Sequence, residues 1–438
     1  MRVTTAFNKI LSLPGAWVAS VTFAPEGIVI GLRRRTAMHR CPCGYKTWAV
    51  YDRRVRRWRH LDLGAAKCWL EYEIVRIKCH RCGAVRTEEV PWARPAARHT
   101  RDFQDVVAWL AQKTDKTTIT KLLRISWEAV AKIVIDVVAE AIDDARLDGL
   151  YRIGVDEVSY LKGHQYLTVV ADHDRDGAVV WAAEGRTRSV LEDFYDELGE
   201  ERVQRLEAIS LDMGRAYKAA TDAKAPHVTQ CIDPFHLIQL ANQAIDHTRR
   251  WAWNLERGLQ TNPLGRRPRE STGPMGRPRG DALPRPRHQT RWIKHTRWAL
   301  LKDPDALKPS QLDVLHELRR TRSVLYRSWQ LKEGLRDLYR VPPADAPAHL
   351  DWWLAWASRS RIPAFVQLAK TVRTHRARIL AAVELGLSNS KLEGLNSKIR
   401  LINHRGYGHH SPTALIAMIY LCCGGITVEL PTQRVLPA

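Results

Sequence analysis

Two strand-like runs of this chain end in acids. In YRIGVDEVSY, residues 151–160, Ile153 and Val155 lead into Asp156 and Glu157 before Val158 and Tyr160 resume the apolar pattern. In LEAISLDMGRAY, Asp212 follows Ile209 and Leu211. A buried strand tolerates a carboxylate only with a partner. Two carboxylates at the carboxyl ends of neighbouring strands repel unless a cation lies between them, and oxygen ligands select magnesium or manganese. A third acid on the same face would complete a two-metal site for phosphodiester chemistry. The stretch LSNSKLEGLNSKIRLINHRGYGHHS, residues 387–411, offers Glu393 on a helical pattern, with Lys391, Lys398, Arg400 and Arg405 around it to hold phosphates. Strand alternation puts Glu157 on the opposite face from Asp156, where a salt bridge is its expected role. Asp172 and Asp174 read as turn residues, and His236 as a packed or phosphate-facing histidine.

A second constellation is made of thiols. CPCG (41–44) and CHRCG (79–83) each place a glycine after a cysteine pair, which lets backbone N–H groups approach sulfur. Cys41, Cys43, Cys79 and Cys82 suit a tetrahedral structural zinc. The first pair is one residue tighter than usual, so His39, His60 or His80 could replace one thiolate. Arg53, Arg54, Arg56, Arg57 and Arg59 lie between the pairs, favouring a DNA-binding module over a catalytic zinc.

Composition points the same way. The chain has 69 Lys+Arg against 47 Asp+Glu, a net charge of +22, so it is drawn to polyanions, of which nucleic acid is the commonest. No apolar run reaches the ~20 residues that span a bilayer. ALIAMIYLCCGG (414–425) reads as a buried helix, and the start lacks a secretory pattern, so no membrane partner and a cytoplasmic, nucleoid-associated location are expected. Eight clustered cysteines fit metal thiolates in a reducing compartment.

The elements that must position these groups separate by texture. Residues 1–98 carry the knuckles and alternating runs such as WLEYEIVRIKC. Residues 99–148 read as helices, with Ser126 as the N-cap before WEAVAKIVIDVVAEAI, and make a helix-turn-helix. There Glu128 and Lys132 occupy early turns suited to the major groove, and Val130, Ile133 and Val134 are available for packing. Residues 149–250 hold five strand-like runs, three joined by short turns and two alternating with helices: a mixed sheet with helices on it. Residues 251–385 are helical and rich in tryptophan, apart from a Pro/Gly/Arg loop near 261–291 read as disordered and as a non-specific phosphate contact. The tryptophans read as bundle core, with one of them able to stack on an unpaired base. Residues 386–438 return to the strand-bearing domain.

IGVDEVSY, ISLDMGRAY, CIDPFHLIQLAN and SNSKLEGLNSKIRLI, in this order and behind the knuckles and the helix-turn-helix, resemble bacterial insertion-sequence transposases of the DDE type, most closely the ISL-three family. The resemblance implies a multidomain α+β chain. A ribonuclease-H-like mixed α/β catalytic domain is interrupted by an all-α insertion and preceded by a zinc-knuckle domain and a helix-turn-helix. It implies that Asp156, Asp212 and Glu393 are the catalytic acids, and it explains the long interval between the last two as the helical insertion. DPFH (233–236) matches an Asp-x-x-His signature after the second acid. The expected activity is recognition of terminal inverted repeats, cleavage of the element ends and joining to target DNA, with a homo-oligomer formed on DNA. An inactive DNA-binding regulator and a recombination nuclease on the same fold are the alternatives. End recognition, in residues 1–145, is expected to separate from catalysis.

Overall fold

The computed structural model describes residues 2–36, 38–161, 163–256, 293, 295–321, 323–387, 390–406 and 411–433, except for the side chains of 390, 391 and 393. The expected basic loop near 261–291 lies outside the described residues.

Apolar alternation along β6 (Ala66–Cys79) buries Cys68, Leu70, Tyr72 and Ile74 on one face, and this strand organises the amino-terminal sheet. Helix α1 (Val3–Leu11) leads into β1 (Ala16–Ala24) and β2 (Gly27–Arg34). The sheet runs β1-β2-β6-β5, with β5 at Asp52–Leu63 and β7 (Ala84–Thr87) pairing further along β6. Trp58 and Tyr72 meet Trp92 edge-on, with ring centroids 6.1 and 5.2 Å apart. A small hairpin of β3 (His39–Arg40) and β4 (Lys46–Thr47) brackets the first cysteine pair. The β6–β7 turn brackets the second.

Three helices follow, each opened by a side-chain cap. Thr100 caps α2 (Arg101–Lys113), Asp115 caps α3 (Lys116–Leu123), and Ser126 caps α4 (Trp127–Ala141) as its position in the sequence predicts. The five strand-like runs become β8 (Arg152–Leu161), β9 (Gln165–Asp172), β10 (Ala178–Glu184), β11 (Ala208–Leu211) and β12 (Thr229–Ile232). They form one sheet in the order β10-β9-β8-β11-β12. The first three strands are antiparallel, while β8, β11 and β12 are parallel, which is the ribonuclease-H-like arrangement. Helices α5 (Arg188–Leu198) and α7 (Arg215–Lys224), with the short α6 (Glu200–Val203) between them in sequence, cover the face presenting Ile153 and Val155.

After β12, α8 (Pro234–Glu256) packs with α9 (Arg297–Leu301), α10 (Pro309–Arg320), α11 (Val324–Arg336), α12 (Ala346–Arg359) and α13 (Pro363–Thr374) around Trp353, Leu331 and Phe365. Trp353 is fully buried, with its indole N–H on the Leu331 carbonyl at 2.7 Å, and takes the core role expected of the tryptophans, whereas Trp298 and Trp352 are exposed. The division expected between residues 250 and 251 falls inside α8, whose apolar face belongs to this bundle. Helix α14 (Arg376–Glu384) leads back onto β12. Then α15 (Ser390–Arg405) and α16 (Pro412–Cys423) cover the second face of the sheet, and the apolar run at 414–425 is indeed a buried helix.

One expectation needs correction. The helix-turn-helix and the sheet are not separate bodies: Val130, Ile133, Val134, Val137 and Val138 of α4 share one core with Val158, Leu167, Ile399, Leu415 and Ile419. The valines of a lone amphipathic helix look the same in sequence whether they pack within their own domain or against another. Each apolar side chain uncovered here forfeits about 1.5–3 kcal/mol. A chain ended at residue 145 is therefore expected to aggregate or bind a hydrophobic dye, checked by gel filtration and dye fluorescence. A monodisperse 1–145 fragment with sequence-specific DNA binding would overturn this.

Candidate active site and metal centre

The register of the parallel strands brings the acids together. Ser210 of β11 pairs with Gly154 of β8, so two residues further on, just past the last pair, Asp212 lies at the register level of Asp156, whose carboxyl feels its charge. Leu211 pairs with Ile232, which carries Asp233 level with Asp212 on the third strand. Pairing between β8 and β11 ends at Gly154, leaving both acids at the opening carboxyl end of the sheet.

Asp156 faces the α15 side, since its even-numbered neighbours Val158 and Tyr160 pack there. Its Oδ1 accepts the Glu157 backbone N–H at 2.7 Å, and its Oδ2 accepts the Asn396 amide at 2.5 Å. Burial pushes the Asp156 carboxyl up; the Glu157 N–H, the His236 charge and the Asn396 amide oppose that, while the Asp212 charge adds to it. Asp212 Oδ1 accepts the Gly214 N–H at 2.6 Å, and Arg378 of α14 reaches the Asp212 carbonyl oxygen at 3.5 Å. Glu393 lies on α15 one turn before Asn396, on the same helical face; its side chain lies outside the described residues. Gly154 permits the close approach of this helix: a Cβ there would sit 2.4 Å from Leu392 Cδ1 and 2.9 Å from His173 Nε2.

Glu157 lies on the opposite face, as alternation predicts, 3.6 Å from Arg186 Nη1. Burial raises its carboxyl, with the Asp212 charge next. Asp174 is a turn residue, paired with Arg152, but Asp172 is not: it is the buried last residue of β9, laddered to Ile153 and Ala178, and its Oδ1 accepts the Asp174 N–H at 2.8 Å.

The four cysteine sulfurs lie within 4.8 Å of one another, with Cys41–Cys82 at 3.9 Å and Cys43–Cys79 at 3.7 Å. Tetrahedral zinc with Zn–S near 2.3 Å requires sulfur–sulfur edges of about 3.8 Å, so the thiols fit the ion. Gly44 and Gly83 adopt positive φ, 86° and 64°, after the two pairs. The Cys82 N–H points at the Cys79 sulfur at 3.4 Å. The tight Cys-x-Cys spacing therefore does not prevent a four-thiolate site. His39 instead lies on Glu88 at 2.9 Å, His60 lies on Thr100 at 2.9 Å, and His80 is outside the cluster.

A transposase model of the ISL3 DDE type matches residues 153–419, which hold these acids. The helix-turn-helix domain of transposase family ISL3 matches 88–138, and the zinc-finger of transposase IS204/IS1001/IS1096/IS1165 matches 37–82. The transposase for insertion sequence element IS1557 of Mycobacterium tuberculosis is 41% identical over 417 residues, 93% of this chain and 91% of that protein. The chain belongs to the ISL3 family of transposases. The transposase for IS1001 of Bordetella parapertussis is 28% identical over 378 residues, 84% of each chain.

Several cations expected to meet DNA are engaged within the transposase. Arg53 pairs with Glu73 at 3.2 Å, and Arg57 pairs with Glu71 at 2.6 Å and Glu26 at 3.3 Å. Lys132 pairs with Asp136 at 2.7 Å. Arg56 stacks on Trp58, 5.1 Å from the ring centroid, and donates to the Ala97 carbonyl. On the same side of β5, Arg54 and Arg56 line a cleft of about 450 Å³ with Arg86 and Arg94. Arg400 is exposed, and Lys398 donates to the Cys422 carbonyl at 2.7 Å. Two neighbours of the acids, Asn396 and Arg378, were not singled out in the sequence, whereas Asp233 opens the DPFH signature. For Asn396 the local signal was its one-turn spacing from Glu393. No helix among the described residues is long and apolar enough to cross a membrane.

Proposed function

We propose that this transposase binds the terminal inverted repeats of its insertion sequence, cleaves the element ends and joins the resulting 3′-hydroxyls to target DNA. Asp156, Asp212 and Glu393 would hold magnesium or manganese. What supports the reading most is the parallel register that sets Asp156 abreast of Asp212 beneath the helix carrying Glu393. Divalent metal, when bound, supplies Lewis-acid stabilisation of the attacking and leaving oxygens. The Asn396 amide and the Glu157 and Gly214 N–H groups fix one oxygen or more of each strand acid, which orients the remaining lone pairs. Arg400 and Lys398, further along α15, neutralise the incoming phosphates, and Arg54 and Arg56 contact the backbone bound by the amino-terminal domain. The protein acts as a homo-oligomer on DNA, in the cytoplasm with the nucleoid.

Full-length protein incubated with a labelled duplex ending in the element's inverted repeat should release a 3′-hydroxyl end in magnesium and join it to a second duplex. Specific binding without cleavage in magnesium or manganese would favour an inactive regulator. Preference for branched over inverted-repeat duplex would favour a recombination nuclease.

A further inference from the structure

A cleft of about 330 Å³ opens between the helix-turn-helix and α15–α16. Lys113, Thr114 and Lys116 of the α2–α3 turn form one wall, Lys398 and Arg405 of α15 form the other, and Cys422 of α16 lies at its base. No carboxylate lines it. Asp115, the acid nearest in sequence, is held by Thr118, whose N–H and hydroxyl lie 2.9 and 2.7 Å from its oxygens. Cations from separate elements line the one cleft: burial and then Cys423 push the Cys422 thiol up to about 11, while Lys398, Arg405 and Lys113 oppose that. The cleft is preformed, because the Gln112 amide pins α2 to α16 through the Leu421 carbonyl at 2.7 Å. Leu401 and Ile402 add an apolar strip between the cations. Cationic walls around an apolar strip match phosphates alternating with deoxyribose.

The cleft also lies along the right helix. Lys398 and Arg405 follow Asn396, the partner of Asp156, by about 3 and 14 Å of helix at 1.5 Å per residue. A DNA strand rises about 3.4 Å per nucleotide, so roughly one to four nucleotides cover that interval. We propose that this cleft holds the sugar-phosphate backbone of the DNA strand running from the acidic site to the helix-turn-helix of the same chain. The identity of the strand rests on the function proposed above; the anion-binding character of the cleft does not.

The test uses full-length, zinc-loaded protein without added divalent metal, and fluorescence anisotropy with an inverted-repeat duplex across a salt series. Each phosphate contact contributes a slope of about 0.9 in log K against log salt. The triple variant Lys113→Gln/Lys398→Gln/Arg405→Gln should be shallower than wild type by about 2 to 3. The charge-retaining Lys113→Arg/Lys398→Arg should keep the wild-type slope. Methylphosphonates at the one to four positions beside the cleavage site should flatten the wild-type slope and leave the triple variant unchanged. An unchanged slope in the triple variant overturns the proposal, as does an equal loss in the arginine variant, which would mark a packing role. Because binding is read without metal, absent cleavage with an altered slope would sink the function reading alone. Normal cleavage with an unaltered slope would sink the cleft alone.

Discussion

Asp156→Asn is expected to reduce metal-dependent strand cleavage at least about 10³-fold, some 4 kcal/mol of transition-state stabilisation, while affinity for inverted-repeat DNA stays within about threefold of wild type. Asparagine keeps the shape and one of the two acceptor oxygens, turning its NH2 toward either the Glu157 N–H or the Asn396 amide, and lacks the negative charge a divalent ion needs. The fold should not suffer. Burial, the largest influence on the carboxyl, and the Asp212 charge disfavour the ionised form, and their relief offsets the loss of one hydrogen bond and of the His236 attraction. Single-turnover cleavage and thermal melting should thus part company, with the rate collapsing and Tm level or raised. Near-normal cleavage by the variant removes Asp156 from the chemistry. A lowered Tm reassigns it to the fold.

Cys79→Ser should have the next largest consequence. Cys79 is buried at the end of β6, and its sulfur belongs to a four-thiol cluster spaced for one tetrahedral cation. Structural zinc sites bind with roughly 10–16 kcal/mol, and that free energy is folding free energy. The wild type should carry about one zinc per chain by elemental analysis, and the variant far less. The β3–β4 hairpin and the β6–β7 turn, which the ion ties together, should then loosen. Binding to the element ends should fall about 100-fold, since both backbone contacts and domain geometry are lost. Cleavage of DNA already bound should fall less, because the acids stand on another sheet. Full zinc occupancy in Cys79→Ser, or normal end binding by metal-free protein, would contradict the site.

What the sequence disclosed, and what it withheld, follows from the range of each interaction. Alternation is local, so the five strands, the opposite faces of Asp156 and Glu157 and the Ser126 cap were readable from a few residues each. Cysteine spacing told the ligand set almost completely. Excluding His39 required Glu88, which reaches it from the end of β7, 49 residues further along the chain. Register was hidden: nothing local pairs Ser210 with Gly154, so the abreast placement of Asp212 was only a possibility. The same ignorance made Arg53 and Arg57 look available, because their partners Glu73 and Glu71 alternate on a neighbouring strand. The joint core of α4, the sheet and α16 was wholly illegible. It joins apolar runs nearly three hundred residues apart, and none of them names its partner.

Under the proposed function, that joint core would make the protein a measuring device. A reading helix on a flexible tether would tolerate variable spacing between recognised bases and cut bond, whereas here the α2–α4 unit is clamped to the sheet that presents the acids. Each inserted base pair shifts the cut by about 3.4 Å along the duplex and turns it about one-tenth of a revolution. A rigid gauge cannot follow that displacement. The distance in base pairs from recognised motif to element end would, under that function, be set by protein packing, and a change in this core would require a matching change in the DNA ends.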